Sequence, residues 1–184
     1  MSEPSIFIFT GTGGSGRKTI ARKVGERLGW TEVRSCTTRS PRNPASPDGD
    51  YRYVSRERFA QWESEGLFSQ TASINGNRYG VLRRDLEAAV ANGGSVFLVL
   101  NREGADAIVK QYGDRAVRIF IYVDKITLRE RLESKGVSYE ILQRYLDSYS
   151  EEVTYRGKCE YTFENVDANR TAEAILSAVT REGE

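Results

Sequence analysis

The chain contains no histidine. Every His-based triad and every His-ligated metal site is therefore excluded, and proton transfer or charge stabilisation has to rest on carboxylates, Lys, Arg, Tyr or a bound ion. Cysteine is nearly as scarce: Cys36 and Cys159 stand far apart, and they read as reduced structural thiols rather than as a disulfide framework or a catalytic nucleophile. Charge of one sign is lacking too. The 27 Lys and Arg against 26 Asp and Glu leave a net charge of +1, which favours neither a nucleic-acid nor a membrane partner, so an anion site must come from local clustering. No amino-terminal apolar segment is long enough for a signal peptide or a bilayer span, and the expectation is a cytoplasmic chain. Of only four prolines, three (Pro41, Pro44, Pro47) fall in one short stretch.

What is present fits one domain. A length of 184 residues is enough to bury a sizeable core without disulfides or metals. Short apolar runs alternate with helical patterns: SIFIFT before an amphipathic segment that ends at Leu28 and Gly29, VFLVL before GADAIVKQY, RIFIYV before ITLRERLE, and YTFENV before TAEAILSAV. Buried strand followed by amphipathic helix, repeated, predicts an α/β fold with a mainly parallel central sheet flanked by helices. Two stretches break the rhythm. Residues 35–81 hold the clustered prolines, many arginines and three of the ten tyrosines (Tyr51, Tyr53, Tyr79), which predicts an inserted subdomain; residues 134–155 form a charged, tyrosine-rich helical pattern with a thin apolar stripe, suited to a movable lid. The ends, MSEP and TREGE, are expected to fray.

The stretch TGTGGSGRKTI follows the first apolar run. Gly11 and Gly16 have the Gly-x-x-x-x-Gly spacing, and a helix is expected to start near Arg17. In that context the backbone of Gly11, Gly13, Gly14, Ser15, Gly16, Arg17, Lys18 and Thr19 converges on a phosphate, with the positive end of a helix dipole behind it. Arg17 takes the place of the motif's lysine and Lys18 that of a small residue, while Thr19 offers a hydroxyl either to a magnesium ion or to its own helix. A second anion site is suggested by SCTTRSPRNPASPDGDYRYVS, where Arg39 and Arg42 sit beside Pro41 with Tyr51 and Tyr53 following, and by GNRYG with Tyr79. Two anion sites in one chain point to transfer between them.

The order GTGGSGRKT, SCTTRSPR, DGDYRYVS, GNRYG and ENVD resembles the guanylate kinase family over nearly the whole chain. That resemblance implies a P-loop nucleoside monophosphate kinase fold with a core (1–34, 82–133, 156–184), an inserted NMP-binding subdomain (35–81) and a helical lid (134–155). It also implies ATP and Mg2+ as cofactors and a nucleoside monophosphate as substrate. By position, Ser35, Arg39, Arg42, Tyr51 and Tyr79 would hold the acceptor phosphate, Asn165 would lie near the adenine of ATP, and Thr19 would ligate the metal. Arg17 with lid residues Arg131, Lys135 and Arg144 would offset charge on the transferred group. The chain departs from the family pattern at several places. Gln70 stands for the guanine-reading glutamate, Val81 for a serine, Val99 and Asn101 for two carboxylates, and Ser150 for a lid arginine for which Arg156 is a substitute. Carboxylates only accept hydrogen bonds, whereas Gln70 and Asn101 bring an acceptor and a donor each, so base selectivity is expected to be relaxed or moved from guanine toward adenine. Loss of carboxylates also leaves open a weakened enzyme acting as a phospho-ligand or protein binding module, or as a nucleotide sensor. Both monomer and homodimer are compatible with the sequence.

Overall fold

The computed structural model describes residues 5–45 and 49–181. Pro47 lies outside the described residues, as do the expected frayed ends except for Thr180 and Arg181, which close the last helix. The central sheet is built on β1 (Ile6–Gly11), all six of whose residues are buried. Both faces of this strand must therefore be covered. Ile6 and Ile8 join one apolar cluster and Phe7 and Phe9 join another, as a period of two requires. Four further strands, β2 (Thr31–Glu32), β7 (Val96–Val99), β8 (Ala116–Tyr122) and β9 (Tyr161–Glu164), complete an all-parallel sheet in the order β2-β7-β1-β8-β9.

Helices α1 (Arg17–Leu28) and α7 (Ala168–Arg181) cover the Phe7/Phe9 face through Ile20, Ala21, Val24, Ala172 and Ile175. On the other face, α3 (Arg83–Ala91) and α4 (Arg102–Tyr112) contribute Leu86, Ala89, Ala105 and Ile108. The first helix stops where the sequence predicts, at Gly29, whose φ of 67° lets its N–H reach back to Glu26 and Gly25 carbonyls.

A second, smaller sheet in the order β4-β3-β6-β5 is made by β3 (Cys36–Thr37), β4 (Arg52–Tyr53), β5 (Phe68–Ile74) and β6 (Asn77–Leu82), with α2 (Arg56–Ser64) packed on it. The β5–β6 hairpin turns on Asn75-Gly76, both at positive φ (51° and 79°), the pairing that a tight two-residue turn favours. Its core is small: Cys36, Phe59, Phe68 and Leu82, with the Phe59 and Phe68 rings stacked at 4.4 Å. Helices α5 (Lys125–Ser134) and α6 (Tyr139–Thr154) pack on each other through Leu128, Leu132, Leu142 and Leu146. The Tyr149 hydroxyl ties α6 to the core by donating to the Val123 carbonyl at 2.7 Å. No described helix is long and apolar enough to cross a membrane.

Candidate active site

The carboxyl ends of parallel strands share one edge of the sheet, where open α/β folds bind ligands. Residues 12–16 leave β1 at that edge. The loop is pressed against β8: Thr12 N–H donates to Ile121 O at 3.2 Å, and a Cβ placed on Gly11 (φ 151°) would lie only 1.8 Å from the same oxygen. Gly16, at φ 81°, forms the N-cap of α1 without any side-chain cap. The first-turn N–H groups thus have no side chain to satisfy them, and an anion is their natural partner. Thr12 Oγ1 and Ser15 Oγ are buried without a hydrogen-bond partner. These orphaned donors, together with the uncapped helix, fit a triphosphate.

An anion already touches the loop. The Gly13 N–H donates to Glu152 Oε2 of α6 at 2.7 Å, and a Cβ on Gly13 would meet the Tyr145 ring at 2.9 Å. In this arrangement a carboxylate of α6 occupies the Gly13 N–H, and it has to withdraw before that N–H can serve another acceptor. Arg17 folds back across the loop, its Nη1 donating to Gly11 O at 3.0 Å. Behind the loop, Arg131 donates to the carbonyls of Asn165 (2.9 Å) and Val166 (3.1 Å), and Asn165 Nδ2 donates to Ser15 O at 2.8 Å. Arg131, expected from sequence to offset charge on the transferred group, and Asn165, expected near the adenine of ATP, therefore brace the back of the loop here. Lys135 and Arg144 are exposed, on the α5–α6 side.

The tyrosine-rich segment forms the facing wall. Tyr51 packs edge-on against Tyr79 at 5.5 Å and Tyr53 at 6.2 Å, and the Arg39 guanidinium lies 5.3 Å from the Tyr51 ring centre and 5.9 Å from that of Tyr53. Burial, with Tyr51 nearby, pushes the Tyr79 hydroxyl above its ordinary pKa despite Thr37 and Arg39. It stays protonated as a donor. Ser35 is buried beside this wall, while Arg42 is exposed. Deeper in, Gln70 is buried with its Oε1 unpartnered, and Asn101 caps α4, its Oδ1 accepting from Gly104 N–H at 3.0 Å. The two amides are neighbours: a Cβ on Gly104 would sit 3.2 Å from Gln70 Oε1 and 3.3 Å from Asn101 Oδ1.

Loop and wall meet at Lys18. Its Nζ lies 4.0 Å above the Tyr51 ring and 3.3 Å from Asp50 Oδ2, while Arg22 Nη1 holds Asp50 Oδ1 at 2.6 Å. Burial acts to raise the Asp50 pKa, but the Arg22 hydrogen bond and the Lys18 charge outweigh it and hold the carboxyl below its ordinary value. Asp50, Arg22 and Glu152 were not anticipated from sequence. An acid inside DGDYRY, in an arginine-rich stretch, was the available signal for Asp50; nothing local marks Glu152, which is 139 residues from its partner. The thiols take no part: burial pushes Cys36 up to about 11 and Cys159 up to about 12. A pocket of about 300 Å³ lined by Trp62, Leu67, Leu82 and Arg83 is separate from the loop.

A glycine loop at the carboxyl edge of a parallel sheet, facing a second sheet rich in Arg and Tyr, defines the architecture of the P-loop kinases that act on small phosphorylated acceptors. Comparison with known proteins narrows this. The guanylate kinase family model matches residues 3–182. The chain is 31% identical to the guanylate kinase of Thermotoga maritima, covering 96% of this chain and 86% of that one, and 32% identical to that of Symbiobacterium thermophilum, covering 96% and 85%. The crystal structure of guanylate kinase from Anaplasma phagocytophilum superposes with a TM-score of 0.79 at 29% identity, covering 98% of this chain and 87% of that one. The chain belongs to the guanylate kinase family. Membership implies ATP as phosphoryl donor and, usually, Mg2+.

Proposed function

We propose that the chain transfers the γ-phosphoryl group of ATP to the phosphate of a nucleoside monophosphate. A non-bridging oxygen of the acceptor phosphate attacks the γ-phosphorus, the bond from that phosphorus to the β–γ bridging oxygen breaks, and ADP leaves with the electron pair. With a dianionic acceptor the ionic charges balance and no proton is released. Such chemistry needs positioning and charge compensation more than covalent catalysis. In this reading the backbone N–H groups of Gly13 to Gly16 hold the triphosphate, Arg17 and Thr19 lie at its flank, and Arg39, Tyr51 and Tyr79, with Ser35 and Arg42, orient the acceptor phosphate. Residues 35–81 form the acceptor subdomain and residues 134–155 the lid, with Arg131, Lys135 and Arg144 turning toward the phosphates when the lid closes.

The observation that carries the reading is that Lys18, on the helix that starts at the phosphate loop, places its ammonium 4.0 Å above Tyr51 of the facing wall. Loop and wall thus border one cleft. For the base, Gln70 Oε1 supplies an acceptor and Asn101, whose oxygen is committed to Gly104, supplies its Nδ2 donor. One acceptor and one donor match the edge of adenine, whereas the N1 and N2 positions of guanine offer donors only. GMP is the family's acceptor by name; AMP is accepted alongside it in this reading. A coupled assay of ADP formation with GMP, dGMP, AMP and no acceptor tests both points. Acceptor-dependent ADP with a GMP-to-AMP ratio within about tenfold supports the reading, since the two amides differ from carboxylates by roughly one hydrogen bond. Nucleotide binding without ADP formation from any acceptor would instead support the binding-module alternative.

A further inference from the structure

In the usual phosphate-loop motif, the residue after the loop's basic position brings a hydroxyl to magnesium. Here that residue is Lys18. Its ammonium is carried away from the loop to the acceptor wall, against Tyr51 and Asp50. Asp50 is secured independently by Arg22 at 2.6 Å, so Lys18 can exchange this carboxylate for another anion without leaving it unpaired. The donor set, by contrast, does not fit a metal held by the chain. Thr19 is exposed on the next position of α1, Val99 is apolar, and Asn101 is neutral with its oxygen already committed to Gly104. Among the described residues no three His, Cys, Asp or Glu side chains converge on a common point.

We propose, resting on the kinase reading above, that Lys18 is a catalytic cation of the transfer step. Its ammonium moves from Asp50 onto phosphate oxygens between donor and acceptor and supplies from the chain the positive charge that the motif's hydroxyl would fix there through a metal. Two anionic ligands brought face to face repel each other, and a charge fixed on α1 with its tip at the acceptor wall lowers that repulsion for both. The tether from helix to wall also explains why a long cationic side chain occupies this position: a hydroxyl there would be too short to reach Tyr51. Two consequences follow. Triphosphate binding depends little on magnesium, and monophosphate binding depends on a residue of the triphosphate loop.

Calorimetry on the full chain tests both. ATP is titrated in Mg2+ and in EDTA, and GMP and AMP in EDTA, against wild type, Lys18→Ser, Lys18→Ala and Lys18→Arg; unchanged melting temperatures establish that the variants fold. The wild-type ATP affinity is expected to differ less than about threefold between Mg2+ and EDTA, whereas Lys18→Ser, which restores the hydroxyl, makes ATP binding at least about tenfold weaker in EDTA than in Mg2+. Monophosphate affinity falls about tenfold in Lys18→Ser and Lys18→Ala and recovers in part in Lys18→Arg, the loss expected for one charge-assisted hydrogen bond. A wild type as dependent on magnesium as Lys18→Ser, or monophosphate affinity unmoved by Lys18→Ala, overturns the assignment while leaving the kinase reading intact. A wild type that binds neither triphosphate nor monophosphate overturns both.

Discussion

The two sheets of this molecule differ in how much apolar surface is buried around them. In the parallel sheet every residue of β1 is buried, and α1 alone adds Ile20, Ala21, Val24 and Gly25 to the covered surface. In the smaller sheet β4 has no buried residue, and α2 buries only Phe59. Its link to α1 is ionic: Asp50 with Lys18 and Arg22. Burial of apolar surface is non-directional and hard to undo locally, whereas partly exposed ion pairs contribute little stability and exchange partners readily. The glycine loop therefore rides on the more deeply buried sheet and the Arg and Tyr wall on the less buried one. In the reading proposed above, the wall would close on a loop whose Gly13 N–H first gives up the Glu152 carboxylate.

Several substitutions separate these halves. The largest effect is expected from Gly11→Ala: the new Cβ would fall 1.8 Å from Ile121 O on a strand with no room to yield, so soluble yield and melting temperature should both collapse. Arg39→Ala leaves the core untouched and should weaken monophosphate binding about tenfold to a hundredfold by calorimetry while ATP affinity holds, because a charged partner of the phosphate is lost. Gln70→Glu should move the GMP-to-AMP preference in kcat/KM about tenfold toward GMP, by converting a neutral acceptor into a charged one; an unchanged ratio would mean that the base is read elsewhere. Glu152→Gln should tighten ATP binding severalfold, measured in EDTA, since the Gly13 N–H no longer has a carboxylate to leave.

The smallest expected effect is a pH dependence of the ionic link. Asp50 has a folded pKa below its ordinary value of 3.8, so its contribution is present above the ordinary carboxylate range and is lost as pH falls through the lowered value. Amide exchange in residues 35–81 should speed up relative to β1 in acid. The change should correspond to no more than about 1 kcal/mol, because the pair is partly exposed. Asp50→Asn should show the faster exchange at neutral pH and lose the acid step.

Much of this division was legible in the sequence. SIFIFT, VFLVL, RIFIYV and YTFENV are short apolar runs each followed by a helical period, and they form β1, β7, β8 and β9 of the parallel sheet. Gly29 marked the end of α1 because only a residue tolerant of positive φ closes a helix in that way. The two-residue strands β2, β3 and β4 could not be read, since two residues carry no period and their pairing is set by distant neighbours. The glycine loop and the Arg and Tyr segment were visible as types of residue at informative spacings. What they touch was not. The Glu152 contact with Gly13 and the bracing of Ser15 by Asn165 join residues 139 and 150 positions apart, and only the packing of α6 and β9 on the loop brings them together. Lys18 was legible as a departure from a motif, yet its meaning appeared only with Asp50 and Tyr51 beside it.

The most direct test of one cleft served by a fixed loop and a closing wall is hydrogen exchange with a bisubstrate analogue that joins adenosine and guanosine through a polyphosphate chain. Protection is expected to rise in three places together: the loop at residues 11–19, the wall within residues 35–81, and α6. The analogue should also bind at least about a hundredfold more tightly than either mononucleotide, as joined ligands do when both sites are engaged at once. Protection confined to the loop, with an affinity no better than that of ATP, would contradict the shared cleft.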